Sequence, residues 1–503
     1  MSMNVVQITI VLVTVCAFTQ SLLLVEKDVS DRRLQVRIES GVLQGARGRT
    51  VDRNVTYYKF LGIPYAEPPV GPLRWKPPVK FGKWSGILNA TVEPPMCIQL
   101  STDIGLEDCL FINVYTPQNL NESRLVPVLV YIYGGRFVNG VANYTVYGPD
   151  YLLSQRIAFV SFNYRMGVFG FLSTQDAEMP GNYGLKDQVE VLRWVNNNIH
   201  HFGGDPNNVT IFGDSAGAAS VGYHLLIPQS RGLFHRAISA SGSALCPWAF
   251  QREPKRIAML LGLACGIFES NMTVFVERMR QEDAKKLRSR SIPIHLGTAM
   301  EPLNGLPFAP CVEPKLEEAV LTNRSNDLFA AGKFNIVPYM IGFTSQEAAI
   351  VQDVIELSRP YIAHWDLMPQ LIVPVNLNCT TKVKRKEVAM KIKNYYFGRK
   401  YISMSTKTEM MNFIGDSQFV RAIRHNVQIC AAFTDVYLYV FSYEGYLGRF
   451  GTKHETLRKV KGAGHVEDLF YIFRTANLAT TNRTELEVIN TMTHLWANFI
   501  KVG

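Results

Sequence analysis

The sequence predicts an α/β fold: a central, mostly parallel, twisted sheet flanked by helices, gathered into a single large domain. Two observations carry that expectation. Continuous apolar runs alternate with stretches of helical periodicity, and one such run ends in a glycine-flanked serine that opens a helix-compatible segment. The first run is Val128 to Tyr133, just after Pro127, and an uninterrupted apolar run suits a strand buried on both faces. Ile157 to Phe162 is a second. Between Asp187 and Ile199, Val191, Leu192, Trp194 and Val195 fall at helical spacing, and Val209 to Phe212 returns to a short β-prone run. Strand, helix, strand is the pattern of parallel strands joined by crossover helices. No internal repeat, low-complexity tract or Pro/Gly/Ser linker divides the chain. The motifs below extend from Phe60 to Phe473, which argues for one domain rather than the roughly three that 503 residues suggest by length alone.

With 47% apolar and 19% charged residues, the chain has ample material for a large core, and the balance excludes a disordered or fibrous protein. Its N-terminus differs from the rest. Ile8 to Val15 is apolar, small or polar residues follow at Ala17, Thr19 and Ser21, and charges begin at Glu26 and Lys27. This reads as a secretory signal peptide over approximately residues 1–20, which leaves 21–503 as the folded domain. The n-region carries no Lys or Arg, and Leu22 to Val25 nearly extend the apolar stretch to spanning length, so an uncleaved anchor is the alternative. Membrane association is expected only in that case. Sequons start at Asn54, Asn89, Asn121, Asn143, Asn208, Asn271, Asn323, Asn378 and Asn482, which together with a signal peptide point to a secreted glycoprotein. Of the eight cysteines, Cys16 leaves with the signal, and the remaining odd number requires at least one thiol that is free or paired with another chain.

The formal net charge is +10, but a nucleic-acid partner needs a concentrated basic patch. The densest run, Lys382, Lys384, Arg385 and Lys386 followed by Lys391 and Lys393, has the spacing of a solvated helix face. No nucleic-acid partner is expected.

The glycine-flanked serine lies in Gly213-Asp214-Ser215-Ala216-Gly217, a G-x-S-x-G pattern set between the run ending at Phe212 and the helix-compatible Ala216 to Leu226. Strand, tight turn and helix in that order form a nucleophile elbow. The turn lifts the serine oxygen above the sheet and aims the first helical N–H groups at a reacting carbonyl. A serine hydroxyl needs a base to take its proton. Of the ten histidines, His465 has the best setting, in the glycine-rich Lys461-Gly462-Ala463-Gly464-His465 just before an apolar stretch. His200 and His201 end a helix and read as structural, and His494 reads as a packing residue. Glu347, in Ile341-Gly342-Phe343-Thr344-Ser345-Gln346-Glu347, follows a strand-like run and is the best candidate for an acid that orients the base.

Several further motifs give the chain a specific resemblance. Phe60-Leu61-Gly62-Ile63-Pro64-Tyr65-Ala66, Glu107-Asp108-Cys109-Leu110-Phe111-Ile112-Asn113-Val114-Tyr115, and Gly181 to Gln188 running on through Phe202-Gly203-Gly204-Asp205-Pro206 occur in the order seen in type-B carboxylesterases. The sequence resembles that cholinesterase-like family over nearly its whole mature length. The resemblance implies the α/β-hydrolase fold, with Ser215, Glu347 and His465 at the triad positions. It also implies a carboxylic-ester hydrolase that takes small-molecule esters through an acyl-enzyme. No cofactor or metal is implied, and no Cys/His clustering suggests one. The alternative is a catalytically weak or inactive relative that binds or sequesters esters or mediates protein–protein contacts. Relatives of that kind typically lack a triad member, whereas all three are present here.

The sequence departs from the family pattern in four places. The oxyanion motif reads Tyr133-Gly134-Gly135-Arg136-Phe137, so the implied donors are the backbone N–H groups of Gly135, Arg136 and Ala216, with Arg136 standing where the family has glycine. Three consequences are open: the side chain swings away, it restricts the pocket or favours acyl groups bearing negative charge, or it cripples catalysis. By resemblance, Cys97 and Cys109 close the first disulfide loop, which is short here and lacks the choline-binding Trp of cholinesterases. Cys265 matches the first member of a second pair whose usual partner is absent, leaving Cys246 as the substitute. Finally, the chain ends at Gly503, where family members usually continue, so the domain reads as short at its C-terminus.

Overall fold

The computed structural model describes residues 34–118, 120, 123–299, 303, 305–351, 355, 359–377, 379–448, 461–475 and 480–503. The expected signal segment, Asn121 and Asn378 lie outside them.

β1 (Gln35–Ile38), β2 (Gly41–Gln44) and β5 (Ile87–Asn89) form a small separate sheet in the order β1-β2-β5. The main sheet has nine strands. They are β3 (Ala46–Arg49), β4 (Thr56–Pro64), β6 (Phe111–Thr116), β7 (Val126–Ile132), β8 (Ala158–Phe162), β9 (Gly204–Asp214), β10 (Arg236–Ala240), β11 (Tyr339–Thr344) and β12 (Val436–Phe441). Their spatial order is β12-β11-β10-β9-β7-β8-β6-β4-β3. From β8 through β7 and β9 to β12 every pairing is parallel, while β6, β4 and β3 pair antiparallel at one side. The expected α/β-hydrolase architecture is therefore the one observed. The apolar run in β7 is explained by its position: Val128 pairs with Ala158 on one side and Val209 on the other, and Val128 to Ile132 are wholly buried.

Helices cover both faces. They are α1 (Tyr183–Asn198), α2 (Ala216–Leu226), α3 (Pro254–Cys265), α4 (Ala284–Ala299), α5 (Lys382–Tyr396) and α6 (Arg483–Val502). Trp496 of α6 packs on Phe212, whereas Ser239 donates a hydrogen bond to the Ala218 carbonyl of α2. Ser239 sits beside Gly213, one residue on from Phe212, so these contacts lie on opposite faces of the sheet. The basic run of α5 is a solvated face, with Lys382, Lys384 and Lys386 exposed and Lys391 paired to Glu387 at 2.7 Å. His494 departs from expectation: it is on the exposed side of α6, where its Nδ1 meets the Asn490 carbonyl. Among the described residues, no helix is long and apolar enough to cross a membrane.

Cys97 and Cys109 form a disulfide that closes a loop of sequence separation 12. The second pairing is corrected: Cys246 and Cys265 are both free, buried thiols. Cys246 precedes the turn Pro247–Ala249, while Cys265 sits at the far end of α3. At about 1.5 Å per residue the helix carries Cys265 well away from its own start. A disulfide needs Cα atoms within about 7 Å.

Candidate active site

The site begins where β9 ends. Ser215 adopts φ 52°, ψ −117°, a conformation that reverses the chain between strand and helix. Its N–H donates to the Ala240 carbonyl of β10 at 2.8 Å, and its own carbonyl accepts the Ala219 N–H at 3.0 Å. Glycine is obligatory at Gly217, because a Cβ there would strike the Ile132 carbonyl at the end of β7. The turn after β7 approaches just as closely. A Cβ on Gly134 would lie 2.5 Å from Asp214 Oδ2 and 2.9 Å from Ser215 Cβ. Asp214 fixes this approach, its Oδ1 accepting the Gly134 N–H at 2.8 Å and the Tyr131 hydroxyl at 2.6 Å. Burial pushes the Asp214 carboxyl above its ordinary pKa, and those two hydrogen bonds oppose the shift.

Beyond Gly134 the turn is left-handed, with φ 105° at Gly135, 61° at Arg136 and 60° at Phe137. Among the described residues, the N–H groups of Gly135, Arg136 and Ala216 have no hydrogen-bond partner. Ala216 is the first residue of α2, whose leading N–H groups lack intrahelical acceptors. Three unpaired N–H groups therefore lie on the two segments that meet at Ser215.

Glu347 and His465 are 118 residues apart yet form a hydrogen bond from His465 Nδ1 to Glu347 Oε2, both side chains being buried. Two loops are laced together to make this contact. Gln346 N–H donates to the Ala463 carbonyl at 2.9 Å, Ala463 N–H to Ser345 Oγ at 2.9 Å, and Gly464 N–H to Glu467 Oε2 at 2.7 Å. The second Glu347 oxygen accepts the Thr344 N–H at 2.8 Å. The imidazole packs against Phe419, with ring centroids 4.9 Å apart. From Phe419 a row of aromatic rings runs through Trp248 to Phe137 in the turn after β7. Among the described residues, Ser215 Oγ makes no hydrogen bond; contacts between such a nucleophile and its base commonly tighten only with substrate.

The sequence reading missed Asp214 and Asp468. Asp468 is wholly buried and accepts the Tyr439 hydroxyl at 2.7 Å. Burial above all, together with the Glu347 and Asp214 charges, pushes it up to about 7. Asp214 lies inside the pentapeptide, at a position the pattern leaves free, so only its chemistry could have drawn notice. Asp468 had a similar signal, an acid three residues beyond the candidate base.

His200 and His201 lie exposed in the turn after α1, their rings 3.9 Å apart. Of the sequon asparagines, Asn54, Asn89, Asn271, Asn323 and Asn482 are exposed. Asn143 and Asn208 are partly buried, and Asn208 Oδ1 accepts from Arg236 at 2.5 Å.

A model of the carboxylesterase family matches residues 32–503. Esterase FE4 of Myzus persicae is 36% identical over 491 residues, covering 93% of this chain and 84% of the relative. Juvenile hormone esterase of Tribolium castaneum is 33% identical over 476 residues, covering 89% and 80%. Among solved structures, the juvenile hormone esterase of Manduca sexta with OTFP covalently attached superposes with a TM-score of 0.82 at 30% identity, covering 93% of this chain and 90% of that one.

Proposed function

The chain belongs to the carboxylesterase family and is a serine carboxylesterase; from that premise we propose that it is a secreted hydrolase of small to medium esters, working through an acyl-enzyme on Ser215 with His465 as base and Glu347 as orienting acid. The observation that carries this reading is the buried His465–Glu347 hydrogen bond, made by two laced loops, with Glu347 following β11 as Ser215 follows β9 and both strands running parallel to β10.

In the first half-reaction Ser215 Oγ attacks the ester carbonyl carbon while its proton passes to His465 Nε2. The Glu347 carboxylate accepts the Nδ1–H, which fixes the tautomer and stabilises the imidazolium. Negative charge develops on the carbonyl oxygen, and the unpaired N–H groups of Gly135, Arg136 and Ala216 supply donors for it. Collapse of the tetrahedral species breaks the bond to the alcohol, which leaves with the proton from His465 Nε2. Water, deprotonated by the same nitrogen, then adds to the acyl carbon. A second collapse frees the carboxylic acid and returns the proton to Ser215. Trp248 and Phe419, packed together next to His465, offer an apolar ester body aromatic side chains to pack against.

Secretion is supported by the signal-like N-terminal segment and by exposed sequons at Asn54, Asn89, Asn271, Asn323 and Asn482. Expression in a eukaryotic secretory host with N-glycanase treatment tests it: protein recovered from the medium loses mass on deglycosylation, and unglycosylated intracellular protein refutes it. The catalytic reading is tested on p-nitrophenyl butyrate. Wild type releases p-nitrophenol and Ser215→Ala does not; equal rates for the two proteins would refute it.

A further inference from the structure

Among the described residues, Arg136 is an arginine without a counter-charge. Arg74 and Arg165, the arginines that the fold buries outright, are each closed by a carboxylate: Arg74 holds both oxygens of Glu107 at 2.6 Å, and Arg165 holds Asp187 at 2.6 and 2.8 Å. Arg136 makes no ion pair and no side-chain hydrogen bond among the described residues. Its environment is nonetheless desolvating, since burial holds its guanidinium below the ordinary arginine range. It also keeps accessible surface. It starts from the turn after β7, whose Gly134 abuts Ser215, so an unpaired, partly exposed guanidinium is rooted next to the candidate nucleophile.

His295, which feels the Arg136 charge, is also unsatisfied among the described residues. His295 on α4 is buried, its Nδ1 has no hydrogen-bond partner, and burial first and the Arg136 charge second push its pKa down to about 3. At neutral pH it is an uncharged imidazole that leaves the guanidinium charge uncompensated. A cation without a counter-charge in a desolvating setting is costly unless something completes it. What can complete it beside Ser215 during turnover is the substrate.

We propose that Arg136 is a specificity-determining anion site, and that the preferred substrates are esters carrying a carboxylate a few bonds from the scissile carbonyl, that is, half-esters of short dicarboxylic acids. The inference rests on the acyl-enzyme reading above, because it is the attack of Ser215 that sets where the ester carbonyl lies. The carboxylate accepts the planar guanidinium fork in the bidentate manner that Arg favours over Lys. One residue thus contributes twice, with its backbone N–H toward the developing oxyanion and its side chain toward the fixed anion.

The test compares mono-p-nitrophenyl succinate with p-nitrophenyl butyrate, matched in chain length and differing in charge. The quantity read is the ratio of their kcat/KM values, since any disturbance of the turn's backbone scales both esters alike. Arg136→Gln is expected to lower the succinate-to-butyrate ratio by about tenfold to a hundredfold, the range for a charge-assisted hydrogen bond, chiefly through KM for the charged ester. Arg136→Lys is expected to retain part of the preference. For wild type alone, KM for the succinate is expected to rise with sodium chloride while KM for the butyrate holds. Equal ratios in wild type and Arg136→Gln, or salt-independent KM for the charged ester, would overturn the anion site while leaving the esterase reading intact. Failure of wild type to hydrolyse either ester would overturn both.

Discussion

Asp214 Oδ1 accepts the backbone N–H of Gly134 at 2.8 Å, so the residue before the candidate nucleophile holds the turn that carries the candidate oxyanion donors. The same oxygen takes the Tyr131 hydroxyl, and both donors are buried. Asp214→Ala strands them, at a cost of about 1–3 kcal/mol each. It also releases the turn from the elbow, and kcat is expected to fall by up to about 10² as the donors lose alignment. Asp214→Asn keeps an oxygen in place and is expected to retain most of both. Thermal denaturation and p-nitrophenyl butyrate turnover measure the two effects, and an alanine variant matching wild type in both would remove Asp214 from this role.

Glu347→Gln isolates the orienting contact. The amide oxygen can still accept the Thr344 N–H that Glu347 Oε1 takes at 2.8 Å, so the backbone is expected to hold. The imidazolium loses its counter-charge and the tautomer is no longer fixed, so kcat is expected to fall about 10³–10⁴ with KM little changed. A loss below tenfold would mean that something other than Glu347 orients His465.

Those two sites differ in how far the sequence betrays them. The strand runs at Val128, Ile157 and Val209 were legible because a strand covered on both faces has no solvent side to vary. The serine was legible because the elbow needs small residues where Gly217 meets the Ile132 carbonyl. Glu347 and His465 were not readable as partners from local sequence, since their contact is created by loop lacing across 118 residues; family resemblance supplied the pairing. Asp214 went unread for a similar reason, its partner Tyr131 lying 83 residues earlier. The Cys246–Cys265 expectation failed because sequence distance hid the helix between them. His494 was misplaced because helical periodicity alone does not say which face is inward.

The thiol inventory follows from the same correction. Cys246, Cys265, Cys311, Cys379 and Cys430 are free, and all but Cys379 are buried. Denatured, unreduced mature protein is therefore expected to titrate five thiols with Ellman's reagent, and native protein about one, because buried thiols stay inert. Replacing Cys97 and Cys109 together by alanine is expected to cost about 2–3 kcal/mol, the loop-closure contribution of a ring of this size. Three thiols in the denatured titration would revive the second disulfide.

Asp468 gives the site a pH signature of definite sign. Its carboxyl moves from an ordinary 3.8 to about 7 in the folded protein, mainly because burial disfavours the charge. Between those values the folded state keeps a proton that the unfolded chain has lost, so stability falls as pH rises. The contribution is fully present below pH 3.8 and is lost by about pH 7. Asp468→Asn titrates nowhere and still offers an oxygen to the Tyr439 hydroxyl. The stability of the asparagine variant relative to wild type is therefore expected to climb through this window and level off above it. Glu93 and Glu313, buried carboxyls that are not among the charges acting on Asp468, carry shifts of the same sign and are expected to cancel in the difference. Denaturant midpoints for the pair at about pH 4, 5.5 and 7.5 measure it. A flat difference, or one that falls with pH, would mean that Asp468 is ionised in the folded enzyme and that three carboxylate charges are held together around His465.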